Sequence, residues 1–374
     1  MDKHLHIICL NVPYPVNYGG VFDLFYKLSA LQNEGVKIHL HCFEYGRGEQ
    51  PELNQYCESV HYYKRRTGMQ SFSFSLPYIV SSRKDEGLLT RLLQDDYPIF
   101  MEGIHCTYLL NDPRFARRRC FVRLHNVEHI YYDHLYSSSS GMLKKFYYQR
   151  ESGLLKTHEV TIANKATFWS VTESDAVTYR NMGCKNIDFL PLFLPDWQVA
   201  SKEGKGTFCL YHGDLSVAEN EKAANWLLDH VFKDLEFSFV IAGKNPPASL
   251  ENKAESRSHT CIVANPGNEE MQDMIAKAHI HIIPSFNATG IKLKLINALF
   301  NGRHCLVNNS TVDGTGLASA CVVANDAEEF RQKIKELYDE PFTQKDFQLR
   351  ANLLNNMFNN ETNAKQMVEW IWGE

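Results

Sequence analysis

The chain has 374 residues, of which 44% are hydrophobic and 22% are charged, and its formal net charge is −5. This length exceeds what one hydrophobic core usually supports, so we expect two domains. The composition is that of an ordinary soluble globular protein, and the negative charge argues against general affinity for nucleic acid. No apolar stretch is long enough to span a bilayer, and the first residues have no signal-peptide pattern, so we expect no export.

The ten cysteines stand singly, and no two of them form a CxxC pair. Most lie in apolar, strand-like contexts, which is typical of buried thiols in a reducing compartment, so we expect the protein in the cytoplasm. Histidines alternate along three strands, at His4/His6, His39/His41 and His279/His281, without an acidic or cysteine partner at ligand spacing. We therefore predict no metal site.

Strand and helix patterns alternate through the first half of the chain. A strand at 5–12 leads through a loop at 13–20 into a helix at 21–33, which Gly35 ends. Gly19 and Gly20 in that loop would let a ligand approach the backbone closely, although a plain turn explains them equally well. Further elements are predicted: strands at 36–43, 60–63, 98–101, 121–124 and 167–171, and helices at 86–93, about 142–163 and 172–182.

A polar segment, Leu124-His-Asn-Val-Glu-His129, follows the strand at 121–124. His125, Asn126 and Glu128 place an imidazole, an amide and a carboxylate within one turn of a strand end. Ligands of open parallel sheets bind beyond the carboxyl ends of the strands, so this position favours function over a structural histidine. His125 is the candidate catalytic residue of the first half.

A polar, glycine-containing segment at 199–206 predicts a linker, after which the alternation begins again. A strand at 208–211 ends in a turn that contains Gly213 and Asp214, and Ser216 and Glu219 predict a capping box that opens the next helix. Strands at 237–242 and 261–264 and a helix at 269–278 follow. Lys244 ends the first of these strands and is a candidate to compensate a diphosphate, or else a solvated turn lysine.

The most informative segment runs from a buried strand at 279–283 through a small-residue loop and a helix to Gly302 and another buried strand. The loop includes Ser285 and Gly290, and it brings Lys292 and Lys294 to the positive end of the helix. Unpaired backbone N–H groups and the helix dipole favour a phosphate there. The segment therefore predicts a site for a nucleotide-linked substrate.

Helices at 327–338, 345–359 and 363–372 close the chain, and Trp370 and Trp372 in the last one need burial. We predict an α/β protein with two doubly wound, Rossmann-like domains that face each other across a ligand-binding cleft. The predicted boundaries are 1–198 for the first domain, 199–206 for the linker, 207–358 for the second domain and 359–374 for a terminal helix packed on the first.

The glycine pair, the His125-Asn-Val-Glu128 segment and the helix start Gly290-Ile-Lys-Leu-Lys294 together resemble the retaining glycosyltransferase family four, whose fold is GT-B. The resemblance covers nearly the whole chain in order. It implies a nucleotide-sugar donor held mainly by the second domain, an acceptor held by the first, and a terminal helix that crosses back to the first. It also implies that no metal or other cofactor is needed, because basic residues and helix N-termini neutralise the diphosphate.

Single residues carry roles by the same resemblance. Gly19 and Gly20 match the family's glycine loop, and His125 matches the histidine that contacts the transferred sugar. Gly290 and Ile291 match the loop whose amides hold the donor.

The chain departs from the family pattern at several positions. Thr289 and Asn297 stand where the family usually has two glutamates, one for the sugar and one for the ribose. Asp214, Glu219 and Asn220 lie where an arginine and a lysine are often found. A neutral asparagine can still hydrogen-bond ribose hydroxyls, so binding of the donor tolerates these changes better than turnover does.

Three functions are consistent with these features. The leading hypothesis is a retaining, metal-independent hexosyl- or other glycosyltransferase that acts on a nucleotide-diphosphate sugar and a glycan or lipid-linked acceptor, as in polysaccharide biosynthesis. The alternative is a catalytically weak or inactive nucleotide-sugar-binding partner subunit, and a third is a sugar-nucleotide epimerase, which would need paired carboxylates and histidines. The basic run at 114–119 and the helix from about 142 are interpreted as structural. The more specific alternative is that they contact the inner face of the membrane peripherally.

Overall fold

The computed structural model describes residues 2–16, 19–139 and 141–373. The chain forms two compact units. Unit 1 comprises Met1–Asp133, Tyr147–Asp196 and Phe358–Glu374, and unit 2 comprises His134–Phe146 and Trp197–Met357. Each unit is built around one parallel sheet with helices packed against it, which confirms the predicted α/β class with two doubly wound domains.

The sheet of unit 1 has seven parallel strands in the order β3-β2-β1-β4-β5-β6-β7. The strands are β1 (Lys3–Cys9), β2 (Val36–Glu44), β3 (Ser59–Lys64), β4 (Ile99–Glu102), β5 (Cys120–Leu124), β6 (Thr167–Ser170) and β7 (Ile187–Phe189). The strand order reverses between β1 and β4, so the residues that follow these strands meet at a topological switch point.

Apolar side chains cover both faces of this sheet. Leu5 and Ile7 of β1 belong to one buried cluster. Ile8, the residue after Ile7, belongs to the cluster on the other face of the sheet. This period of two, with both sets buried, explains why the strand reads as a continuous apolar run. The helices before residue 197 are α1 (Gly19–Asn33), α2 (Tyr78–Ser81), α3 (Glu86–Leu92), α4 (Glu128–Ser138), α5 (Met142–Ile162) and α6 (Glu173–Asn181).

Residues 134–146 group with unit 2, although the sequence places them inside a first domain at 1–198. The start of α5 lacks the packing that would hold it to the sheet of unit 1. Met142, Leu143 and Phe146 there are 87%, 88% and 69% exposed. The helical pattern of this segment predicted the helix correctly, but exposed apolar side chains do not specify which unit it joins.

The sheet of unit 2 has six parallel strands in the order β10-β9-β8-β11-β12-β13. The strands are β8 (Cys209–Asp214), β9 (Phe239–Lys244), β10 (Thr260–Ala264), β11 (Ile280–Ile283), β12 (His304–Val307) and β13 (Val322–Val323). The helices are α7 (Ala218–Trp226), α8 (Ala248–Glu255), α9 (Asn268–Lys277), α10 (Leu293–Asn301), α11 (Asn309–Val312), α12 (Ala327–Asp339) and α13 (Gln344–Met357). The switch point of this sheet lies between β8 and β11.

The segment 199–206 is hydrogen-bonded into unit 2. The Ala200 amide donates to the Phe300 carbonyl at 2.7 Å, and the Gly206 amide donates to His279 Nδ1 at 3.1 Å. A Cβ at Gly206 would lie 2.5 Å from the backbone of His279 and of Lys277, so only glycine fits this approach. The glycine that contributes to the linker prediction is therefore explained by close backbone packing against unit 2.

The last helix, α14 (Asn360–Trp372), belongs to unit 1, which confirms the predicted crossing back of the terminal helix. Asn360 begins it and bonds both backbone groups of Leu194, with Oδ1 accepting at 3.1 Å and Nδ2 donating at 2.7 Å. The Trp370 ring lies 5.3 Å from the buried Trp169 ring, and Arg119 Nη1 donates to the Ile371 carbonyl at 3.0 Å. Burial of the tryptophan therefore draws the helix onto the first sheet, as expected.

The basic run at 114–119 is largely engaged inside unit 1. Arg114 pairs with Asp112 at 2.6 Å, and Arg118 pairs with Asp95 at 2.7 Å, while Arg119 holds α14 as described. These contacts favour the structural reading of the run. In the described parts of the chain, no helix has both the length and the apolar character needed to cross a bilayer.

Met367 in α14 is fully buried in the cluster that covers β1 and α1. We expect Met367→Ala to lower the free energy of unfolding by about 2–5 kcal/mol, because it removes buried methylene groups and leaves a cavity. Chemical denaturation followed by tryptophan fluorescence measures this change. Lys365→Ala on the exposed side of the same helix is the control, with an expected change within about 0.5 kcal/mol. Equal effects of the two substitutions would show that α14 does not stabilise unit 1.

Candidate functional site

His125 lies directly after β5 in unit 1, beside the switch point of the sheet. Its Nε2 is 3.0 Å from Oε2 of Glu102, the last residue of the neighbouring strand β4. The His125 side chain is 20% exposed, whereas that of Glu102 is completely buried. The predicted catalytic histidine is therefore held from beneath by a carboxylate and keeps one side towards solvent.

A buried network of four charged side chains lies beneath His125. Lys27 Nζ lies 3.0 Å from Asp23 Oδ2 and 2.5 Å from Glu102 Oε1. Arg123 donates to both oxygens of Asp23, at 3.0 and 3.2 Å. Burial alone would raise the pKa of Asp23 and of Glu102, but the cations hold both below their ordinary values. Two carboxylates thus balance two cations, which a dry interior requires.

Asp23, Glu102 and His125 could each offer one ligand atom to a metal ion, and these atoms lie within 4.8 Å of one another. The Lys27 ammonium already bonds two of the three residues, so a metal ion would have to displace a buried cation. The arrangement is that of an internal ion-pair network. It fits a metal centre poorly, because the Lys27 ammonium bonds both carboxylates and would repel a second cation at this short range.

The alternating histidines of β1 and β2 bond to each other. His6 Nδ1 lies 2.9 Å from His41 Nε2, and His6 Nε2 lies 3.0 Å from Asp95. His4 Nδ1 likewise lies 3.0 Å from His39 Nε2. Burial lowers the pKa of His41 well below its ordinary value, so the His41 imidazole is a neutral hydrogen-bonding group.

Glu128 does not join His125 but begins helix α4 with its side chain buried. Burial and the neighbouring Glu159 raise its pKa to about 8. Glu159 accepts hydrogen bonds from the Glu128 amide at 2.8 Å and from the Tyr179 hydroxyl at 3.0 Å, so it caps the start of the helix. The carboxylate that sequence spacing places beside the imidazole is thus a protonated core residue.

Gly19 and Gly20 form the first turn of α1. Tyr18 of the predicted glycine loop lies outside the described residues. The helix that these glycines open carries Asp23 and Lys27, so it delivers two members of the buried network to the switch point.

In unit 2, Lys294 lies in the first turn of α10 and is the best-placed of the predicted basic residues. Its Nζ donates to Asn220 Oδ1 at 2.7 Å and to the Tyr211 hydroxyl at 3.2 Å. The ammonium also lies 4.7 Å from the centre of the Tyr211 ring. Burial lowers the pKa of Lys294 to about 8, partly against the influence of Glu219. Its hydrogen-bond partners are thus neutral groups, and an anion would be its natural counter-charge.

The loop before α10 is braced from within. Gly290 has a φ of +67°, which favours glycine, and Lys292 Nζ donates to the Thr289 carbonyl at 2.7 Å. The Thr289 hydroxyl donates to Asn287 Oδ1 at 2.9 Å. Ser285 Oγ lies 2.8 Å from both Glu219 Oε1 and the Asn287 carbonyl. The predicted loop residues therefore come together at the end of β11, with their side chains engaged in shaping the loop.

The other predicted residues of unit 2 flank this loop differently. Asn297 is half-buried one turn along α10, with Oδ1 accepting from Asn301 at 2.8 Å. Gly213 and Asp214 end β8, and Asp214 bonds the Ser216 hydroxyl at 2.6 Å. Lys244 is exposed and pairs in register with Asp214 at the ends of β9 and β8. Ile291 is half-buried in the loop just before α10. All of these residues lie at the carboxyl ends of the strands or in the helix that follows.

The predicted capping box at Ser216 and Glu219 is wrong. Helix α7 begins at Ala218 with no side-chain cap. Glu219 bonds Ser285 instead, and its neighbour Asn220 bonds Lys294. The two residues thus link α7 to the loop and helix that follow β11. No sequence spacing signals this, because the strand order of the sheet brings the segments together.

The sequence analysis assigned no role to His212. It is buried at the end of β8, and neither ring nitrogen has a hydrogen-bond partner among the described residues. Burial and the nearby Lys294 lower its pKa to about 3, so the imidazole is neutral. The position of His212 after a run of apolar strand residues did not predict a buried imidazole without a hydrogen-bond partner.

Residues 206–340 match the model of the glycosyl transferases group 1 family, and this range contains all of the unit 2 site. The chain has the GT-B fold, and within it residues 206–340 are similar to the group 1 glycosyl transferases. The resemblance inferred from the glycine, histidine and lysine motifs is confirmed at this level. For a chain of this fold, both candidate sites lie at the strand ends where ligands of doubly wound sheets bind.

Similar proteins extend over almost the full length of the GT-B chain. An uncharacterised 44.6 kDa protein in the cps region of Klebsiella pneumoniae is 25% identical over 348 residues, which cover 88% of this chain and 89% of that one. The crystal structure of TarM matches with a TM-score of 0.68 and 10% identity over 100% of this chain and 99% of that chain. That of WaaG, a glycosyltransferase of lipopolysaccharide biosynthesis, matches with a TM-score of 0.64 and 12% identity over 99% and 100%. Anabaena HepE in complex with UDP and glucose matches with a TM-score of 0.62 and 11% identity over 100% of both chains.

The raised pKa of Glu128 predicts a pH-dependent stability. The folded protein keeps this proton up to about pH 8, whereas an unfolded glutamate releases it near 4.5, so stability should fall as the pH rises through this window. Glu128→Gln removes the effect, with an expected gain on the order of 4 kcal/mol above pH 8 and little gain at pH 4.5. The melting temperature measured at a series of pH values tests this.

Glu173→Gln is the matched control, because Glu173 is also the first residue of a helix but is exposed. We expect its melting curve to follow the wild-type pH dependence. A Glu128→Gln protein with the same pH dependence as wild type would contradict the buried, protonated state of Glu128.

Proposed function

We propose that the protein is a glycosyltransferase that moves a sugar from a nucleotide-diphosphate sugar to a glycan or lipid-linked acceptor. The single observation that carries this is Lys294, an ammonium at the start of α10 whose hydrogen-bond partners are all neutral. A cation in that state favours an anionic ligand, and the N-terminal end of the helix adds to the same field. The family match of residues 206–340 names the reaction class.

The proposed donor is supported by solved structures of the same fold. HepE of Anabaena was solved in complex with UDP, and also with UDP and glucose. In our chain, Lys294 and the amides at 290–292 would stabilise negative charge that develops on the departing diphosphate, with Lys292 and Lys244 adding to the field. Charge stabilisation by these groups would take the place of a metal ion or other cofactor. Asn297 would bond the ribose, where a neutral hydrogen bond contributes about 1 kcal/mol against about 1.5–3 for a charged one.

The proposed role of unit 1 rests on His125. One side of its ring is accessible, and the other is fixed to Glu102, so the imidazole is oriented before a substrate arrives. By resemblance, His125 contacts the transferred sugar, and transfer retains the anomeric configuration. The departing phosphate would then accept the proton of the acceptor hydroxyl.

We also propose that the protein works in the cytoplasm and contacts the inner face of a membrane peripherally. All ten cysteines are free thiols, which suits a reducing compartment. Exposed Met142, Leu143 and Phe146 flank Lys144 and Lys145 in one helix. Apolar side chains beside cations suit a surface of anionic lipid. Such a location would bring a lipid-linked acceptor within reach.

A second candidate function is nucleotide-sugar binding with little or no catalysis, as a partner subunit. The presence of Thr289 and Asn297 in place of carboxylates favours it, since both side chains are neutral and bonded within unit 2. A thermal-shift screen with UDP-, GDP- and ADP-linked sugars, followed by transfer and hydrolysis assays with the donor that binds, separates the two functions. Binding without turnover would support the partner subunit, and no binding of any donor would sink both.

Replacement of Lys294 by methionine tests the donor site directly. We expect Lys294→Met to weaken donor binding by about 10- to 100-fold, because one charge-assisted interaction of about 1.5–3 kcal/mol is lost. Isothermal titration with the donor from the screen measures this. Lys292→Met should have a smaller effect, since Lys292 acts in this proposal only through the field that it adds at the diphosphate. Exposed Lys202→Met is the control. Unchanged affinity in Lys294→Met would remove the residue from the donor site.

The pKa of Lys294, lowered to about 8, predicts how donor affinity depends on pH. Above pH 8 the free protein loses the ammonium charge that the diphosphate needs, so affinity should fall as the pH rises. An intact nucleotide sugar has no phosphate group that titrates there, which makes the protein the source of the change. Titrations between about pH 6.5 and 9 should show this decline in wild type and not in Lys294→Met. A decline of equal size in both proteins would assign it to another group.

A further inference from the structure

The bond between His125 and Glu102 fixes which ring nitrogen of the histidine bears hydrogen. An ionised carboxylate can only accept hydrogen bonds, so Nε2, which lies 3.0 Å from Glu102 Oε2, must be protonated. The second oxygen of Glu102 is 2.5 Å from Lys27 Nζ, and this buried ammonium keeps the carboxylate ionised. Consistent with this, Lys27 and His125 hold the pKa of Glu102 below its ordinary value although burial would raise it.

The one side-chain hydrogen bond of His125 among the described residues is that of Nε2, so the remaining ring nitrogen, Nδ1, is left without a protein partner there. The His125 side chain is 20% exposed, whereas the four charged side chains beneath it are 0–3% exposed. Nδ1 is therefore the atom that can meet a substrate. In the neutral ring it is a hydrogen-bond acceptor, which matches the hydroxyl groups of a sugar.

The charge balance of the network favours an ionised Glu102 and therefore the Nε2–H form of His125. Asp23 and Glu102 balance Lys27 and Arg123, so a neutral His125 leaves the buried group without net charge. Loss of the Glu102 charge would leave Lys27 with Asp23 alone, which Arg123 already holds with two hydrogen bonds. The network thus has a strong preference for an ionised Glu102 and, through it, for one tautomer of the histidine.

We propose that Glu102 is a positioning residue for the transfer reaction: with Lys27 it locks His125 as the Nε2–H tautomer and presents Nδ1 to a hydroxyl group of the substrate. This rests on the proposed function for its role in turnover, but the tautomer itself is a property of the protein without substrate.

The first experiment reads the tautomer by ¹⁵N NMR of histidine-labelled protein, with the His125 signals assigned by their loss in His125→Gln. In the neutral ring of wild type we expect a protonated Nε2 and an unprotonated Nδ1. In Glu102→Gln the amide can donate or accept, so the preference should be lost and the Nδ1–H form should appear. A wild-type ring protonated at Nδ1, or Glu102→Gln signals identical to wild type, would overturn the proposal.

The second experiment measures transfer kinetics. Glu102→Gln should lower kcat by about 10- to 100-fold, the usual cost of losing the partner that orients an active-site histidine, and leave donor KM nearly unchanged. A purely structural role would instead lower the melting temperature and leave the kcat of the folded fraction intact. If wild type transfers no sugar, the proposed function fails, while the NMR result still decides the tautomer.

Two further variants guard against misfolding and indirect effects. Glu102→Gln with Lys27→Met removes one buried charge of each sign, so it keeps the network neutral if the single variant does not fold. The same loss of the Nε2–H preference is expected, and its retention would overturn the proposal. Asp95→Asn is the matched control, because Asp95 bonds Nε2 of another histidine in unit 1, His6, at 3.0 Å. The His125 signals and kcat should not change in this protein.

Discussion

The ion-pair network of Asp23, Lys27, Glu102 and Arg123 is the constraint on which unit 1 depends. Each residue comes from a different position around the switch point: two from α1, one from the end of β4 and one from β5. Arg123 also donates to the Leu190 carbonyl at 2.6 Å and to the Pro191 carbonyl at 3.0 Å, so the network reaches the segment after β7. Buried charges are costly to separate, and a partial network would be worse than none. The strand ends of unit 1 are therefore held in one arrangement.

In unit 2 the strand ends are held mainly by hydrogen bonds of neutral side chains. Asn220, Tyr211 and Ser285 connect α7, β8 and the loop after β11, and the single ammonium of Lys294 lies among them. The unit 1 network has its charges balanced internally, whereas the hydrogen bonds of Lys294 in unit 2 go to Asn220 and Tyr211 and, within the part of the chain that the structure describes, to no carboxylate. The balanced network of unit 1 is suited to orienting an imidazole, and the ammonium of unit 2 is suited to attracting an anion. Electrostatic preorganisation of this kind places its cost in folding, before a substrate binds.

The sequence predicted well what depends on local pattern. Apolar periodicity placed the helix at 142–163, observed at Met142–Ile162, and the alternation of strands and helices predicted the two parallel sheets. The need to bury Trp370 predicted the position of the last helix. His125 and Lys294 were predicted as site residues because they directly follow a strand or open a helix.

What the sequence could not predict depends on side chains that meet across the sheet. Glu102 and His125 are 23 positions apart, and Asn220 and Lys294 are 74 apart, so no spacing rule connects them. Glu128 was misread for the opposite reason. It is near His125 in sequence, yet helix α4 turns its carboxyl group into the core beside Glu159. Position along the chain identifies a strand end but not the direction of each side chain beyond it.

The assignment of α14 to unit 1 has a consequence for synthesis on the ribosome. Residues 197–357 of unit 2 are contiguous and emerge before residue 358, whereas unit 1 lacks the cover over Trp169 until helix α14 leaves the exit tunnel. The first sheet to be translated is thus completed only after the second unit has emerged, and its apolar face stays uncovered until then. A nascent chain of this protein depends on α14 to complete the apolar cluster that contains Leu5 and Ile7 of its first strand.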